Sequence, residues 1–116
     1  MILSSDLWVQ ALIRRAQNGG AFATVLRRGD GKAGAVLVKV VDRRRGVSRL
    51  YAEAMRGDGE TVWMEPLGAT DEAALDAYAE RAGGRDPDLW VLEIDDVEGR
   101  HFLTERVEPS PPAAGQ

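Results

Sequence analysis

The tetrapeptide Arg-Gly-Asp-Gly occurs twice in this chain, at residues 28–31 and 56–59. Each copy lies between runs with the composition of β-strands. Asp-Gly is the strongest short-range signal for a hairpin, because a tight type I′ turn needs positive φ angles that glycine adopts freely and aspartate tolerates. We therefore interpret both copies as hairpin tips. They predict a four-stranded antiparallel meander, with strands near 21–28, 34–42, 47–56 and 61–66.

A two-residue turn at each tip also predicts which residues face each other across the strands. At the first tip, Val25 is expected to face Val36. At the second tip, Met55 is expected to face Val62. Residues 42–46 would reverse the chain at the opposite end of the sheet.

Two amphipathic helices are predicted beside this sheet, over residues 6–18 and 71–82. A serine before the first helix and Thr70 before the second can cap them, since a side-chain oxygen there accepts a hydrogen bond from an unpaired N–H of the first turn. Paired glycines at 19–20 and 83–84 would end the two helices. Each helix has an apolar side that we expect to pack on the sheet.

The last predicted elements follow the second helix. Asp-Pro-Asp at 86–88 begins an extended segment, because the residue before a proline is pushed out of the helical region. Residues 89–95 have strand composition, residues 96–99 can form a turn, and residues 100–104 can form a short returning strand. This part of the chain therefore predicts a C-terminal β-hairpin.

The predicted fold is α+β, with a single domain over residues 1–105 that consists of a helix, a four-stranded antiparallel meander, a second helix and the C-terminal β-hairpin. The 116 residues, 44% of them hydrophobic, suit one modest core. Residues 106–116 contain three prolines and are expected to form a disordered tail.

The composition also limits the location and the chemistry. The chain has no cysteine, no apolar stretch of membrane-spanning length and no basic signal segment at its start, so we expect a cytoplasmic protein that does not contact membranes. The glycines at 29–34 do not match a phosphate-binding loop, because the lysine among them is followed by alanine and then by a strand. No cofactor is expected.

The charge is divided unevenly along the chain. Residues 1–57 contain 11 Lys and Arg against 4 Asp and Glu, whereas residues 58–116 contain 4 against 15, within a net charge of -4. The simpler interpretation is that the two halves lie side by side and neutralise each other. The alternative is a dipolar surface that attracts a charged partner or a second copy of the chain.

Nucleic-acid binding, as a weak RNA contact through Arg43, Arg44 and Arg45, is one candidate function. These arginines lie at the opposite end of the predicted strands from the arginines near the Asp-Gly tips. Strands of about seven residues separate the two groups by roughly 24 Å, more than twice a Debye length of about 8 to 10 Å. The acidic second half and an aromatic content of 6% also disfavour this function.

A small enzyme or a metal-binding or ligand-binding domain is a second candidate, using Asp95, Glu98 and His101. The six carboxylates between residues 86 and 98 could form a hard-cation site. A catalytic zinc site is disfavoured, because it usually needs several nitrogen or thiolate ligands and the chain has one histidine. The simpler interpretation makes Glu93 and Asp95 the solvated side of a strand and His101 a structural residue.

The leading hypothesis is a non-catalytic binding or accessory protein that contacts another protein or a second copy of itself. Tryptophans usually anchor a core, but Trp63 lies on a predicted edge strand, where an exposed aromatic side chain would form a contact surface. The predicted partner-binding residues are Trp63, Arg43, Arg44, Arg45, Asp86 and Asp88.

Several segments resemble a small alphaproteobacterial family catalogued as domain of unknown function 1491. The resemblance covers residues 3–103. Its most specific part is the run Asp-Pro-Asp-Leu-Trp at 86–90, and the other segments are 7–9, 27–30, 34–36 and 98–102. It implies a cytoplasmic, stand-alone bacterial domain and implies no activity, ligand or catalytic residue.

Overall fold

A computed structural model describes residues 3–108 of the chain. Its elements in chain order are α1 (Ser5–Asn18), β1 (Phe22–Arg27), β2 (Val36–Asp42), β3 (Val47–Met55), β4 (Thr61–Met64), α2 (Glu72–Arg85) and β5 (Trp90–Asp96). Within the described residues, no helix is both long enough and apolar enough to cross a bilayer.

The five strands form one mixed sheet in the order β1-β5-β2-β3-β4. β5 is antiparallel to β1 and parallel to β2, and the remaining neighbours are antiparallel. The α+β class predicted from the sequence is confirmed. The predicted four-stranded meander is wrong in one respect, because β5 separates the first two of its strands.

Each face of the sheet packs against one helix. Because strand side chains alternate between faces, β2 and β5 contribute residues to both cores. The core on the α1 side includes Trp8, Leu12, Val38, Trp63, Trp90 and Leu92. The core on the α2 side includes Leu37, Leu50, Leu75, Leu89 and Val91. A strand covered on both faces is apolar at successive positions, as the run from residue 89 to 92 is.

The first Asp-Gly copy is therefore not a hairpin tip, and Val25 faces Leu92 rather than Val36. Residues 28–35, the crossing loop, connect β1 to β2 over the start of β5. The Asp30 N–H donates to the Asp88 carbonyl at 3.0 Å, and the Trp90 indole N–H donates to the Asp30 carbonyl at 2.8 Å. The loop spans two strand spacings, about 9.6 Å, so a two-residue turn is too short.

Of the two glycines in the first Arg-Gly-Asp-Gly copy, Gly29 rather than Gly31 is the one that the crossing geometry requires. A Cβ on Gly29 would overlap the Asp88 carbonyl oxygen and lie 2.6 Å from the Trp90 ring, whereas the nearest atom to a Cβ on Gly31 is 3.7 Å away. We expect Gly29→Ala to lower the free energy of unfolding by about 2 kcal/mol through overpacking. Gly31→Ala is the matched control and should change it by less than about 0.5 kcal/mol. Urea denaturation measures both, and equal losses would contradict the crossing geometry.

The second Asp-Gly copy does form a hairpin, between β3 and β4. The Arg56 N–H donates to the Glu60 carbonyl at 2.8 Å, and Gly59 has a φ of 87°. The predicted register is wrong by one residue, since Met55 faces Thr61. The loop has three residues rather than two, which is the geometry of a turn followed by a left-handed glycine. The predicted reversal at 42–46 is confirmed between β2 and β3.

The second helix starts later and ends later than its sequence pattern predicts. Asp71 rather than Thr70 caps it, accepting a hydrogen bond from the Ala74 N–H. The helix continues through Gly83 and Gly84 to Arg85. A Cβ on Gly83 would lie 2.8 Å from the Arg27 guanidinium, so this glycine allows a side chain of β1 to approach the helix instead of ending it.

The predicted C-terminal hairpin does not form. Residues 97–108, the C-terminal strap, cross the α1 side of the sheet to the β4 edge. Arg100 bonds back to the Asp96 carboxylate at 2.9 Å, and Phe102 has a left-handed φ of 59°, which interrupts an extended strand. The Arg15 guanidinium holds this bend by donating to the Phe102 carbonyl at 3.1 Å.

The first residues of the predicted disordered tail are ordered and belong to the strap. Residues 106–108 pair with β4, where the Trp63 N–H donates to the Arg106 carbonyl at 2.8 Å and the Glu108 N–H donates to the Trp63 carbonyl at 2.7 Å. These three residues belong to the domain. The rest of the predicted disordered tail, residues 109–116, lies outside the described residues.

Candidate binding surface

The strand β1 forms an edge of the sheet, and apolar side chains project from it into solvent. Phe22 is 69% exposed, Leu26 is 50% exposed and Val25 is 39% exposed. An edge strand leaves the backbone N–H and C=O groups of alternate residues without strand partners. A bulge between Val25 and Arg27 interrupts the pairing with β5, so the regular part of the edge covers residues 22–25.

A groove of about 210 Å³ lies between the end of β1 and the helix α2. We call it the β1–α2 groove. Its lining residues are Leu26, Arg27, Lys39, Asp76, Ala79, Glu80 and Val91. Side chains of β1, β2 and β5 and acidic side chains of α2 thus border one depression beside the open edge.

Lys39 lies at the floor of this groove and is 4% exposed. Its ammonium donates to Glu72 and Asp76 at 2.8 Å each, and it lies 3.1 Å from Glu93. Burial opposes the charge on Lys39, yet the hydrogen bonds to the three carboxylates outweigh it and raise the pKa above its ordinary value. A single cation is therefore surrounded by three anions, and these four residues carry a net charge of -2.

The sequence patterns did not predict the contacts of Lys39. A signal was available, because this lysine interrupts a run of five apolar residues between 36 and 41, and a buried lysine must find acidic partners. The sequence did not indicate which acidic residues these are, because Glu72 and Asp76 lie on a helix more than 30 residues away.

A second cleft, of about 320 Å³, lies between the start of α1, the crossing loop and the β3–β4 hairpin. Its most buried titratable group is Glu53, which accepts a hydrogen bond from the Val36 N–H at 3.0 Å. Burial raises the pKa of Glu53 above its ordinary value. The nearby Ser5 hydroxyl donates to the Gly34 carbonyl at 2.6 Å. The Ser5 hydroxyl is thus occupied by a backbone carbonyl. No other described residue lining the cleft is placed to act together with Glu53 in catalysis.

The three residues of the enzyme hypothesis are not brought together. Asp95 lies on the α2 side of the sheet and accepts a hydrogen bond from Arg43 at 2.7 Å. Glu98 is exposed, 3.9 Å from Arg100. His101 lies on the α1 side, with its ring 5.1 Å from the Tyr51 ring.

His101 has the environment of a structural histidine. Burial lowers its pKa below the ordinary value, so the ring is neutral at neutral pH. Its Nδ1 atom accepts a hydrogen bond from the Leu103 N–H at 2.9 Å. Among residues 3–108, no group of three or more His, Asp and Glu side chains is arranged to hold a metal ion.

The arginines of the β2–β3 turn are largely engaged with carboxylates. Arg43 binds Asp95, and Arg45 binds Asp42 at 2.9 Å. Arg44 is exposed, and its N–H donates to the Val97 carbonyl. The Arg43–Asp95 contact joins the basic half of the chain to the acidic half, as do the contacts of Lys39, whereas Arg45 and Asp42 both lie in the basic half. The contacts between the halves agree with mutual neutralisation.

Asp86 and Asp88 lie beside the crossing loop. The Asp86 carboxylate accepts a hydrogen bond from the Asp88 N–H at 3.0 Å, and the Asp88 carbonyl accepts one from Asp30. Both residues therefore help to shape the start of β5. Their predicted role in partner binding stays a prediction.

The exposure expected for Trp63 is wrong. Its side chain is 0% exposed, and its ring stacks on Trp8 with the centroids 5.1 Å apart. Glu105 of the strap accepts hydrogen bonds from both indole N–H groups, at 2.9 Å from Trp8 and 3.2 Å from Trp63. The strand β4 is an edge, but its tryptophan faces the core because the strap covers it.

A family model described as a protein of unknown function, DUF1491, matches residues 3–104. The fold is similar to the crystal structure of a DUF1491 family protein from Caulobacter crescentus CB15, with 67% sequence identity and a TM-score of 0.90 over 92% of this chain and 100% of that chain. An NMR structure of a DUF1491 family protein from the same organism matches at 67% identity, with a TM-score of 0.88 over 94% of this chain and 99% of that chain.

A more distant similarity extends to the solution structure of protein Atu0922 from A. tumefaciens, with 33% identity and a TM-score of 0.78. The match covers 96% of this chain and 100% of that chain. None of the curated proteins matches the sequence.

Proposed function

The chain belongs to the DUF1491 family of proteins of unknown function, and from that premise we propose that it is a non-catalytic, cytoplasmic module that binds an extended segment of another protein along the β1 edge. An extended segment can add a strand to an open sheet edge, where backbone hydrogen bonds contribute affinity and side-chain contacts contribute specificity. The observation that carries the proposal is the exposure of Phe22, Val25 and Leu26 beside unpaired backbone groups.

The two edges of the sheet differ in a way that supports this proposal. At the β4 edge, residues 106–108 pair with Trp63 and cover its backbone. At the β1 edge, no described residue pairs with the outer side of the strand. Natural proteins usually protect long apolar edges against unwanted pairing. Because the β4 edge is covered and the apolar β1 edge is open, the β1 edge is the candidate for binding a partner.

The other candidate functions have less support. Asp95 and His101 lie on opposite faces of the sheet, so an enzyme would need a different catalytic set. Two of the three arginines proposed for RNA binding already bind carboxylates, which would have to be displaced by phosphate. Binding at the β1 edge needs no catalytic set and breaks no ion pair.

The test is an NMR titration of the 15N-labelled protein with acetyl-Thr-Val-Thr-Gln-Thr-Val-Thr-amide, a peptide that favours an extended conformation. We expect its amide shift changes to concentrate on residues 22–26. The same peptide with both valines replaced by proline should cause none, because proline lacks the N–H group and is poorly tolerated in a pairing strand.

Two variants locate the binding site. Phe22→Ser combined with Leu26→Ser should weaken the binding, whereas Met55→Ser should not, because Met55 is 74% exposed on the β3–β4 hairpin. Shift changes at the β4 edge, or none with the valine peptide, would refute the proposal. A particle mass that doubles with protein concentration alone would instead make a second copy the occupant of the edge, and would overturn the choice of a different protein.

A further inference from the structure

Acidic side chains form a row on the side of α2 that borders the β1–α2 groove. Glu72, Asp76 and Glu80 recur every four residues and so lie on one face of the helix. Glu72 and Asp76 bind Lys39 with one oxygen each and keep more than half of their side-chain surface exposed, at 53% and 56%. Glu80 has no ion-pair partner among residues 3–108 and lines the groove.

The cations around the groove do not balance this row. Lys39 serves three carboxylates at once. Arg27, the other cation in the lining, turns its guanidinium to the backbone and donates to the carbonyls of Leu89 and Pro87 at 3.0 and 3.4 Å. The lining itself holds two carboxylates and two cations; with Glu72 and Glu93, which also bind Lys39, the six charged residues carry a net charge of -2. Glu80, the lining carboxylate without an ion-pair partner among residues 3–108, gives its side of the groove a negative potential that a bound segment would meet.

A side chain of the bound segment must be long if its charge is to reach the acidic row on α2. A strand added to β1 would lie about 4.8 Å beyond it, on the side away from β5. Its side chains would alternate between the faces of the sheet, so every second one would lie on the side of Leu26 and α2. A short side chain at such a position would contact β1 only, whereas a long one can extend over the edge toward Glu80.

We propose that the extended segment bound at the β1 edge carries an arginine or lysine on the side that faces α2, with apolar residues two positions away on either side, and that Glu80 and Asp76 select this cation. This inference depends on the proposed function, because it specifies the partner of the same edge. The apolar neighbours pack on Phe22 and Leu26, and the cation occupies the β1–α2 groove. Electrostatic complementarity of this kind contributes specificity and a faster association.

The experiment compares three peptides that differ only in their central residue, acetyl-Thr-Val-Thr-X-Thr-Val-Thr-amide with X as arginine, glutamine or glutamate. The arginine peptide should bind about fivefold more tightly than the glutamine peptide, the change that one exposed ion pair of about 1 kcal/mol produces. The glutamate peptide should bind more weakly than both. An ionic strength of about 1 M should remove most of the difference, because the Debye length there is about 3 Å.

Glu80→Lys should reverse the order of the arginine and glutamate peptides. Glu60→Lys is the matched control, because it makes the same charge change at an exposed position of the β3–β4 hairpin and should leave the order unchanged. Equal affinity of all three peptides, with shift changes still at residues 22–26, would overturn the selection of a cation and leave the edge-binding function intact. Absence of shift changes with every peptide would refute both proposals.

Discussion

Trp63→Ala is expected to lower the free energy of unfolding by about 4 kcal/mol, within the range for large-to-small substitutions of buried aromatic residues. Trp63 is fully buried and stacks on Trp8 with an angle of 23° between the ring planes. Truncation leaves a cavity and also removes the indole N–H that donates to Glu105. Among the described residues, the Glu105 carboxylate would then keep one hydrogen bond, from Trp8. Urea denaturation with linear extrapolation measures the loss.

A matched control separates the burial of Trp63 from its position in β4. Met64 follows it in the same strand and is 40% exposed, so Met64→Ala should lower the free energy of unfolding by less than about 1 kcal/mol. If Trp63 were instead a surface anchor for a partner, Trp63→Ala would leave stability nearly unchanged. A loss below about 1 kcal/mol would therefore contradict the packing described above.

Lys39→Met should lower the free energy of unfolding by about 3 kcal/mol, close to the lower end of the range for breaking a buried ion pair. The methionine is similar in length, so little packing is lost, but Glu72, Asp76 and Glu93 lose the ammonium that binds all three. The loss stays at the lower end because two of these carboxylates are half exposed and water can solvate them. Lys39 is fully charged at neutral pH, since its pKa is raised, so the whole loss appears there.

The other lysine of the chain supplies the control for this substitution. Lys32 is exposed in the crossing loop, and Lys32→Met should change the free energy of unfolding by less than about 0.5 kcal/mol. At an ionic strength of about 1 M, screening weakens the repulsion among the carboxylates, so the loss in the Lys39 variant should become smaller. Equal losses in both lysine variants would mean that the carboxylates do not depend on Lys39.

The local elements were predictable because each depends on a few neighbouring residues. The first helix, the three-strand unit from β2 to β4 and the strand after Asp86 all lie close to their predicted positions. The errors at the ends of α2 have a local cause as well. Gly83 resembles a helix terminator in sequence, but Arg27 lies against it and needs the space, and that contact joins residues 56 positions apart.

The position of β5 was not predicted, although a signal for it was present. Trp90, Leu92 and Ile94 occupy alternate positions of the strand, and all three are buried on the α1 side. Leu89 and Val91 on the other face are also buried, under α2, and a strand that is apolar on both faces belongs in the interior of a sheet. The Asp-Gly signal at residues 30–31 outweighed this pattern and led to the wrong pairing of β1 with β2.

The candidate binding surface depends on that same position. β1 is the outermost strand in the predicted meander as well as in the observed sheet, but the β1–α2 groove beside it is lined in part by Val91 and so forms only with β5 as the neighbour of β1. The strap, in turn, covers β4 and buries Trp63. Predicting which edge stays open therefore requires the full strand order and the path of residues 97–108, and neither follows from a local pattern.

The sequence by itself determined where most helices and strands lie, the turn at Gly59 and the membership of the family, because these depend on short-range conformational preferences and on recognisable runs of residues. The order β1-β5-β2-β3-β4, the burial of Trp63 and the partners of Lys39 were decided only by the tertiary structure. The physical reason is that a strand takes the position in which the whole chain buries the most apolar surface and pairs its buried charges. That choice joins residues more than 30 positions apart.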